Sequence, residues 1–488
     1  MLAPLSCDDA QRLRDFFREA NFTYEHFKRD PALPEYPRRP GYHLQALLER
    51  TSDSTTTNML VRWFYLGVTQ ERDSVAHLLP EPTLSIMLKA GMMNQDGSRL
   101  IPAVMLTPWR DKLFAADMVA RMHSEHSADV VLWPNPTTLL LQHFSIHKPS
   151  RDTLDLGTGC GVHAILAAEY SERVCATDLN PRAEQFVAFN AQLNNVNKVE
   201  YLFGDTFEPV KGRTFDSILA NPPFFVTPTS TKLFCENEME LDEYCRRVVR
   251  EAAEHLNEGG YFQAVMEWVQ VRGQKWQERL EEWLDGTHCD AWIVRGYDRD
   301  AAGYAQMRIG ETRSPEEAAC KFQQWMAYYR ERGVEEIHGG LFAMRRRSGR
   351  NWLRIEEATA GDKEPFGDSI LELFATQDIL ATHPRDDELL GMKPCLSPQA
   401  RLEQKSRVEG GKWIPTSLVL QLTGGVPAKQ AVERGVAEFL GQCDGSKTLE
   451  ELAQGLGTQV NASPEEVRQQ CCAVVRRLAQ QRFLQIFR

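Results

Sequence analysis

From residue 150 to residue 350, short apolar runs alternate with helical stretches. The runs are 153–156, 173–177, 198–203, 215–220, 260–268, 290–297 and 340–346. Near-continuous apolar strands separated by helices predict a mostly parallel sheet covered on both faces, an α/β domain of seven strands. The last two runs are separated by a helical segment, 314–332, that is longer than the connection requires.

The flanks have a different pattern. Residues 8–20 carry Leu13, Phe16 and Phe17 on one helical face, and 59–65 and 83–90 form further apolar segments. Strand-like pieces follow at 100–106 and 112–115, so 1–129 predicts a helical, winged-helix-like domain. A central domain spans 130–355. The remainder, 356–488, begins with a loop-rich linker rich in charge, Pro and Gly to about residue 411, holding one helical stretch at 369–380. A strand at 413–422, helices at 428–440, 449–455 and 464–480, and a strand at 482–487 then predict a small α+β unit, again winged-helix-like.

At 488 residues the chain exceeds one ordinary hydrophobic core, which agrees with several domains. No stretch reaches the roughly 20 apolar residues of a membrane span, and the start shows no signal-peptide run, so a cytoplasmic protein without membrane contact is expected. The 11 cysteines are scattered, with no metal-binding spacing, and read as reduced thiols; no metal is expected. A net charge of −12 argues against an unspecific polyanion coat, although a local basic patch remains compatible with a nucleic acid substrate.

The segment 153–168, TLDLGTGCGVHAILAA, runs from the first strand through a glycine-rich turn into a helix. Gly157, Gly159 and Gly161 allow a sharp turn and close approach of a ligand, and Thr158 and Cys160 lie between them. The next strand ends at Asp178, where an acid is expected to grip two ribose hydroxyls, with Leu179 and Asn180 beside it. After the third strand come Asp205 and Thr206, and Asp205 suits an adenine amino group. A nicotinamide dinucleotide is the rival ligand. It prefers G-x-G-x-x-G, whereas Asp155 near this turn would repel a pyrophosphate and suit a cationic ligand.

The run 215–225, FDSILANPPFF, is an apolar strand ending in Asn221 and two prolines. The Asn221 side chain and the Pro222 carbonyl are both acceptors. Fixed by Pro222 and Pro223, they can hold the two hydrogens of a planar amino group and aim its lone pair, while Phe224 stacks on its flat face.

Taken together, LDLGTGCG, ATDLNPRAEQFVAFNAQLNN, GDTF and NPPF resemble the Rossmann-like, seven-stranded S-adenosylmethionine-dependent N-methyltransferases of the Asn-Pro-Pro-aromatic group. This group includes release-factor glutamine, ribosomal RNA guanine-N2 and adenine-amino methyltransferases. The resemblance covers a little under half of the chain. It implies S-adenosylmethionine as cofactor, S-adenosylhomocysteine as product, Asn221 at the cofactor as well as the acceptor, and Pro134 and Thr137 in LWPNPTT as cofactor contacts. The implied acceptor is a macromolecule, an exocyclic amine of ribosomal or transfer RNA or a glutamine amide of a translation protein. Phe224 and Phe225 in place of Tyr lean toward the RNA enzymes. A small-metabolite methyltransferase and a non-catalytic cofactor-binding regulator are the alternatives, and the Asn-Pro-Pro-Phe clamp argues against the regulator.

Weaker features are the basic run Arg345, Arg346, Arg347 and Arg350, readable as a phosphate contact or a solvated turn, and the acidic stretch Glu236, Glu238, Glu240, Asp242 and Glu243, readable as an exposed helix start. His163 reads as an ordinary helix residue and Trp268 as core.

Overall fold

A computed structural model of the chain describes residues 1–29, 44–124, 127–309, 314–357, 367–457 and 462–487. It folds as two compact units, one of residues 1–142 and 148–356, the other of 143–147 and 357–488.

The larger unit is organised by one sheet. Its strands are β1 (Ser150–Leu156), β2 (Ser171–Asp178), β3 (Val199–Phe203), β4 (Phe215–Ala220), β5 (Leu256–Val271), β6 (Cys289–Asp300), β7 (Val334–Arg346) and β8 (Leu353–Glu357). Their spatial order is β3-β2-β1-β4-β5-β7-β6-β8. Strands β1 to β5 are parallel, and β7 lies antiparallel to both β5 and β6. Every apolar run expected as a strand of this sheet is one. The expected count of seven is corrected to eight by β8, an edge strand whose sequence, LRIEE, is only half-buried and carries no apolar run. Strand order reverses between β1 and β4, which opens a crevice at their carboxyl ends.

Helices α1 (Val162–Ala167), α2 (Ala183–Leu193), α3 (Glu243–Glu254), α4 (Trp276–Leu284), α5 (Ala301–Ile309) and α6 (Pro315–Glu331) connect the strands. All six residues of α1 are buried: Val162, Ile165 and Leu166 share a core with the N-terminal helices, and Ala164 and Ala167 pack with Val174 and Ala176 of β2. Leu13, Phe17, Trp63 and Phe64 share one apolar core with Ile165 of α1 and Phe186, Phe189 and Leu193 of α2. Polar groups seal the seam. Asn190 accepts from the Ala115 amide at 2.7 Å and donates to its carbonyl at 2.9 Å. Asn194 does the same for Leu113 at 2.9 and 2.7 Å. These two side chains satisfy the edge of the strand Lys112–Ala116 as a neighbouring strand would.

In the N-terminal part, helices Cys7–Glu19, Thr56–Phe64 and Glu81–Lys89 occupy the expected segments. The run 100–106 is two strands rather than one, Arg99–Pro102 and Met105–Trp109, because the chain leaves the first sheet at Ala103, whose amide turns back to Met92.

In the second unit, Lys393–Leu396 pairs with Leu484–Phe487, and Ala400–Glu409, Lys412–Leu422 and Lys429–Val432 form a three-stranded sheet. Helices Gly367–Thr382, Leu449–Gly457 and Pro464–Gln480 match their expected segments. Two expectations fail here. The stretch to residue 411 holds a ten-residue strand, and the first part of the helix expected at 428–440 is the strand Lys429–Val432. Ala400–Glu409 is exposed along most of its length and so lacks the alternation that marks a half-buried strand.

Candidate active site

The loops at the carboxyl ends of β1 to β4 enclose a cavity of about 660 Å³, the size of a small-molecule site. Gly157 and Gly159 adopt φ of +70° and +56°, which side chains rarely tolerate, and a β carbon on either would meet nothing within 4 Å. With Thr158 and Cys160 they line the cavity. Gly161 does not line it. At φ +85° it begins α1, and a β carbon there would come within 3.3 Å of Val187, so this glycine serves helix packing rather than ligand approach.

Asp155 lies behind the turn. Its carboxylate accepts from the Thr158 hydroxyl at 2.6 Å and the Ala164 amide at 2.9 Å, and it is fully buried behind the turn, outside the cavity lining. Burial pushes its carboxyl up to about 7. The start of α1 draws this side chain inward, so it braces the turn instead of facing a cation.

Asp178, at the end of β2, faces the cavity. Its oxygens accept from the amides of Gly159 and Asn180, each at 2.7 Å, which fixes the carboxylate while leaving lone pairs for a ligand. Burial raises its carboxyl above the ordinary range. Leu179, 48% exposed, and Asn180 line the cavity beside it. The Asn180 side chain donates to the Asp129 carbonyl at 2.8 Å and so ties the loop down. Asp205 and Thr206 also line the cavity, held by a residue the sequence did not announce. Arg247 on α3 donates to Asp205 at 2.9 Å, to Thr206 at 2.8 Å and to Glu251 at 2.7 Å.

The end of β4 brings Asn221, Pro222, Pro223 and Phe224 to the same cavity. The Asn221 amide nitrogen donates to Thr137 Oγ1 at 3.1 Å, and the Thr137 hydroxyl donates to Asn135 Oδ1 at 2.7 Å. Asn135 is itself fixed by accepting from the amides of Thr137 and Thr138. Asn221 Oδ1 is thereby the end of the amide left for the cavity. The loop is held on its far side too. Asn237 donates to the Pro223 carbonyl at 2.8 Å, and Val226 is bonded through its amide to Tyr304 on α5 and through its carbonyl to Tyr329 on α6. The long connection between β6 and β7 thus anchors the Asn-Pro-Pro-Phe loop.

Pro134 is buried and does not line the cavity, whereas Trp133, Asn135 and Thr137 do. His163, read as ordinary, does line it. Its Nδ1 is bonded to Gln142 at 3.0 Å, and burial pushes the ring down to about 4, so it is neutral. Trp268 is core, 0% exposed. Neither reading of the basic run holds for Arg345 and Arg346. Arg345 is buried against Asp290 at 2.8 Å, and Arg346 donates to the Thr287 carbonyl at 2.8 Å. In the acidic stretch Asp242 is also buried, paired with Arg279 and accepting from the Val269 amide at 2.9 Å.

Among the described residues no His, Cys, Asp or Glu group is placed to hold a metal ion, and no helix is long and apolar enough to cross a membrane. The open space over Gly157 and Gly159, the Asp178 carboxylate and the exposed face of Leu179 fit a nucleoside with an amino acid tail. S-adenosylmethionine, when bound, supplies a methyl carbon on a cationic sulfonium. Asn221, Pro222 and Phe224 line the same cavity.

Residues 135–289 match the family "Methyltransferase small domain". A provisionally named protein N5-glutamine methyltransferase of Methanocaldococcus jannaschii is 31% identical over 137 residues, 27% of this chain and 68% of that protein. Release factor glutamine methyltransferases of Aquifex aeolicus and Lactococcus lactis are each 29% identical, over 171 and 189 residues. These matches cover 31% and 35% of this chain, and 59% and 67% of the relatives' own length. The chain belongs to the S-adenosylmethionine-dependent N-methyltransferases of the Asn-Pro-Pro-aromatic group, the family that includes these glutamine methyltransferases.

Proposed function

We propose that this enzyme methylates the side-chain amide nitrogen of a glutamine in a protein of the translation apparatus, and therefore works in the cytoplasm. The observation that carries the reading is the charge of the acceptor end of the cavity. Its rim holds Glu236 and Glu238 with the exposed apolar side chains Leu233 and Met239. The two arginines in the lining are both neutralised, Arg247 by Asp205 and Glu251 and Arg308 by Glu267. An RNA acceptor needs cations at its phosphates, whereas an acidic and apolar lip suits a peptide. The glutamine-modifying relatives point the same way.

Asn221 Oδ1 and the Pro222 carbonyl hold the two amide hydrogens, Phe224 covers the flat face, and the nitrogen lone pair is turned toward the methyl carbon. An amide nitrogen is a poor nucleophile because its lone pair is delocalised, so orientation does most of the work. The cofactor-side roles proposed for Asp178, Asp205 and Thr206 are the ribose and adenine contacts. Around this site, the order helix Thr56–Phe64, strand Gln70–Glu71, helices Arg72–Val75 and Glu81–Lys89, and hairpin Met93–Pro102 supports a winged-helix module that presents the macromolecule. Incubation of the purified protein with methyl-labelled cofactor and cell extract, followed by RNase or protease, tests the reading. Label released by protease and recovered as methylglutamine is expected. Label released by RNase, or found in a low-mass product, overturns it.

A further inference from the structure

We propose that Arg308 binds the oxygen of the acceptor amide, so that the site reads both halves of the group and selects an NH2 flanked by a carbonyl. This inference rests on the glutamine reading above and assigns the donor that reading lacks. Asn221 Oδ1 and the Pro222 carbonyl are acceptors and can hold only the N–H groups, so the amide oxygen needs a donor from elsewhere.

Arg308 lies on α5, outside the family-matched segment 135–289, yet it lines the same cavity as Asn221, Pro222 and Phe224. Its guanidinium carbon sits 3.7 Å from the centroid of the Phe225 ring, and Phe225 in turn is 5.7 Å from Phe224, centroid to centroid. One edge of the guanidinium is committed. Nη2 donates to Glu267, and to the Tyr297 hydroxyl at 3.3 Å. Glu267, on β5 and 1% exposed, is held in turn by the hydroxyls of Tyr297 and Tyr304. The Nη1 donors are not committed. Among the described residues Arg308 Nε is buried without a partner and Nη1 makes no hydrogen bond.

A rigidly held guanidinium with an unused Nη1 is costly unless an acceptor arrives there, because a planar fork of fixed donors cannot turn elsewhere. Its charge is already balanced by Glu267, so the free Nη1 suits a neutral oxygen better than a phosphate or carboxylate. A carbonyl beside the nitrogen meets that description. Donation to the oxygen draws lone-pair density away from the nitrogen, so the gain is in binding and orientation rather than in the intrinsic rate.

The test uses a capped glutamine tripeptide and its thioamide counterpart, whose sulfur is a weak acceptor, with the full-length enzyme and its Arg308→Lys variant. Lysine keeps the ion pair to Glu267 and loses the Nη1 donor. For the oxygen peptide the variant is expected to raise KM by about 10- to 100-fold with kcat changed little, the range set by a hydrogen bond to a charged group. For the thioamide the two enzymes should differ by less than about threefold, since the shared contact is already lost. Cofactor affinity, read by calorimetry, should be unchanged. Equal KM values for the oxygen peptide, or an equal loss on both peptides, overturns the assignment of Arg308 alone. If the unaltered enzyme methylates no glutamine peptide while an RNA oligonucleotide is methylated, the glutamine reading falls and takes this inference with it.

Discussion

The side-chain nitrogen of Asn221 donates to the hydroxyl of Thr137 at 3.1 Å, and that hydroxyl gives its own proton to Asn135. The relay settles which end of the Asn221 amide faces the cavity: an acceptor, as an NH2 substrate requires. Thr137→Val breaks the relay while keeping the shape. It is expected to lower kcat about tenfold, in line with one lost hydrogen bond, with cofactor affinity nearly unchanged, and Thr137→Ser should restore the rate. A loss expressed mainly as weaker cofactor binding would instead return Thr137 to the direct-contact role implied by the family resemblance.

Asn221 and Asp178 serve different partners and should separate in measurement. Asn221→Ala is expected to add ~2–4 kcal/mol to the barrier, as loss of a positioned polar contact does, and to leave cofactor binding intact. Asp178→Ala is expected to weaken the cofactor in calorimetric titration. An Asp178→Ala protein with unaltered affinity would contradict the ribose assignment.

Asp155 links stability to pH. Its carboxyl is pushed up to about 7 by burial, against an ordinary value of 3.8. A raised folded-state value means the native protein binds the proton more tightly than the unfolded chain does. The contribution is therefore full below about pH 4 and is lost as pH rises to about 7. Asp155→Asn, neutral throughout, should lack this slope. The stability of the unaltered protein minus that of the variant, from urea unfolding at a series of pH values, should fall between pH 4 and 7 and then level off. A difference that stays flat would refute the buried, turn-bracing role.

Glu267 is the buried counter-charge for Arg308 and the acceptor for Tyr297 and Tyr304. Glu267→Leu leaves the guanidinium uncompensated and is expected to cost ~3–5 kcal/mol in denaturant unfolding. The double variant Glu267→Leu, Arg308→Leu should recover part of that loss. Additive losses would show that the two side chains do not act as a pair.

The core of the site was legible because its signals are local. Gly157 and Gly159 occupy backbone conformations that glycine tolerates best, Asp178 ends its strand, and Asn221 to Phe224 form one contiguous, proline-stiffened loop. The apolar runs likewise located the strands β1, β2 and β4 to β7, since each carries a stretch buried on both faces, whereas β3, at the edge of the sheet, is only part-buried. Orientation was not legible. Which of Trp133 and Pro134 faces the cavity, and whether Asp155 points at a ligand or into the start of α1, depends on what packs behind them.

Sequence alone determined the cofactor class and the place of the Asn-Pro-Pro-Phe loop at the end of its strand, because a few adjacent residues carry both. Tertiary structure alone decided that Thr137 orients Asn221, that Arg247 holds Asp205, and that α5 and α6 anchor the loop at Val226. Those partners lie tens of residues away along the chain. Only the folding of the sheet, which sets β4 beside β1 and β5 and returns the helices over their ends, brings such side chains within hydrogen-bonding distance.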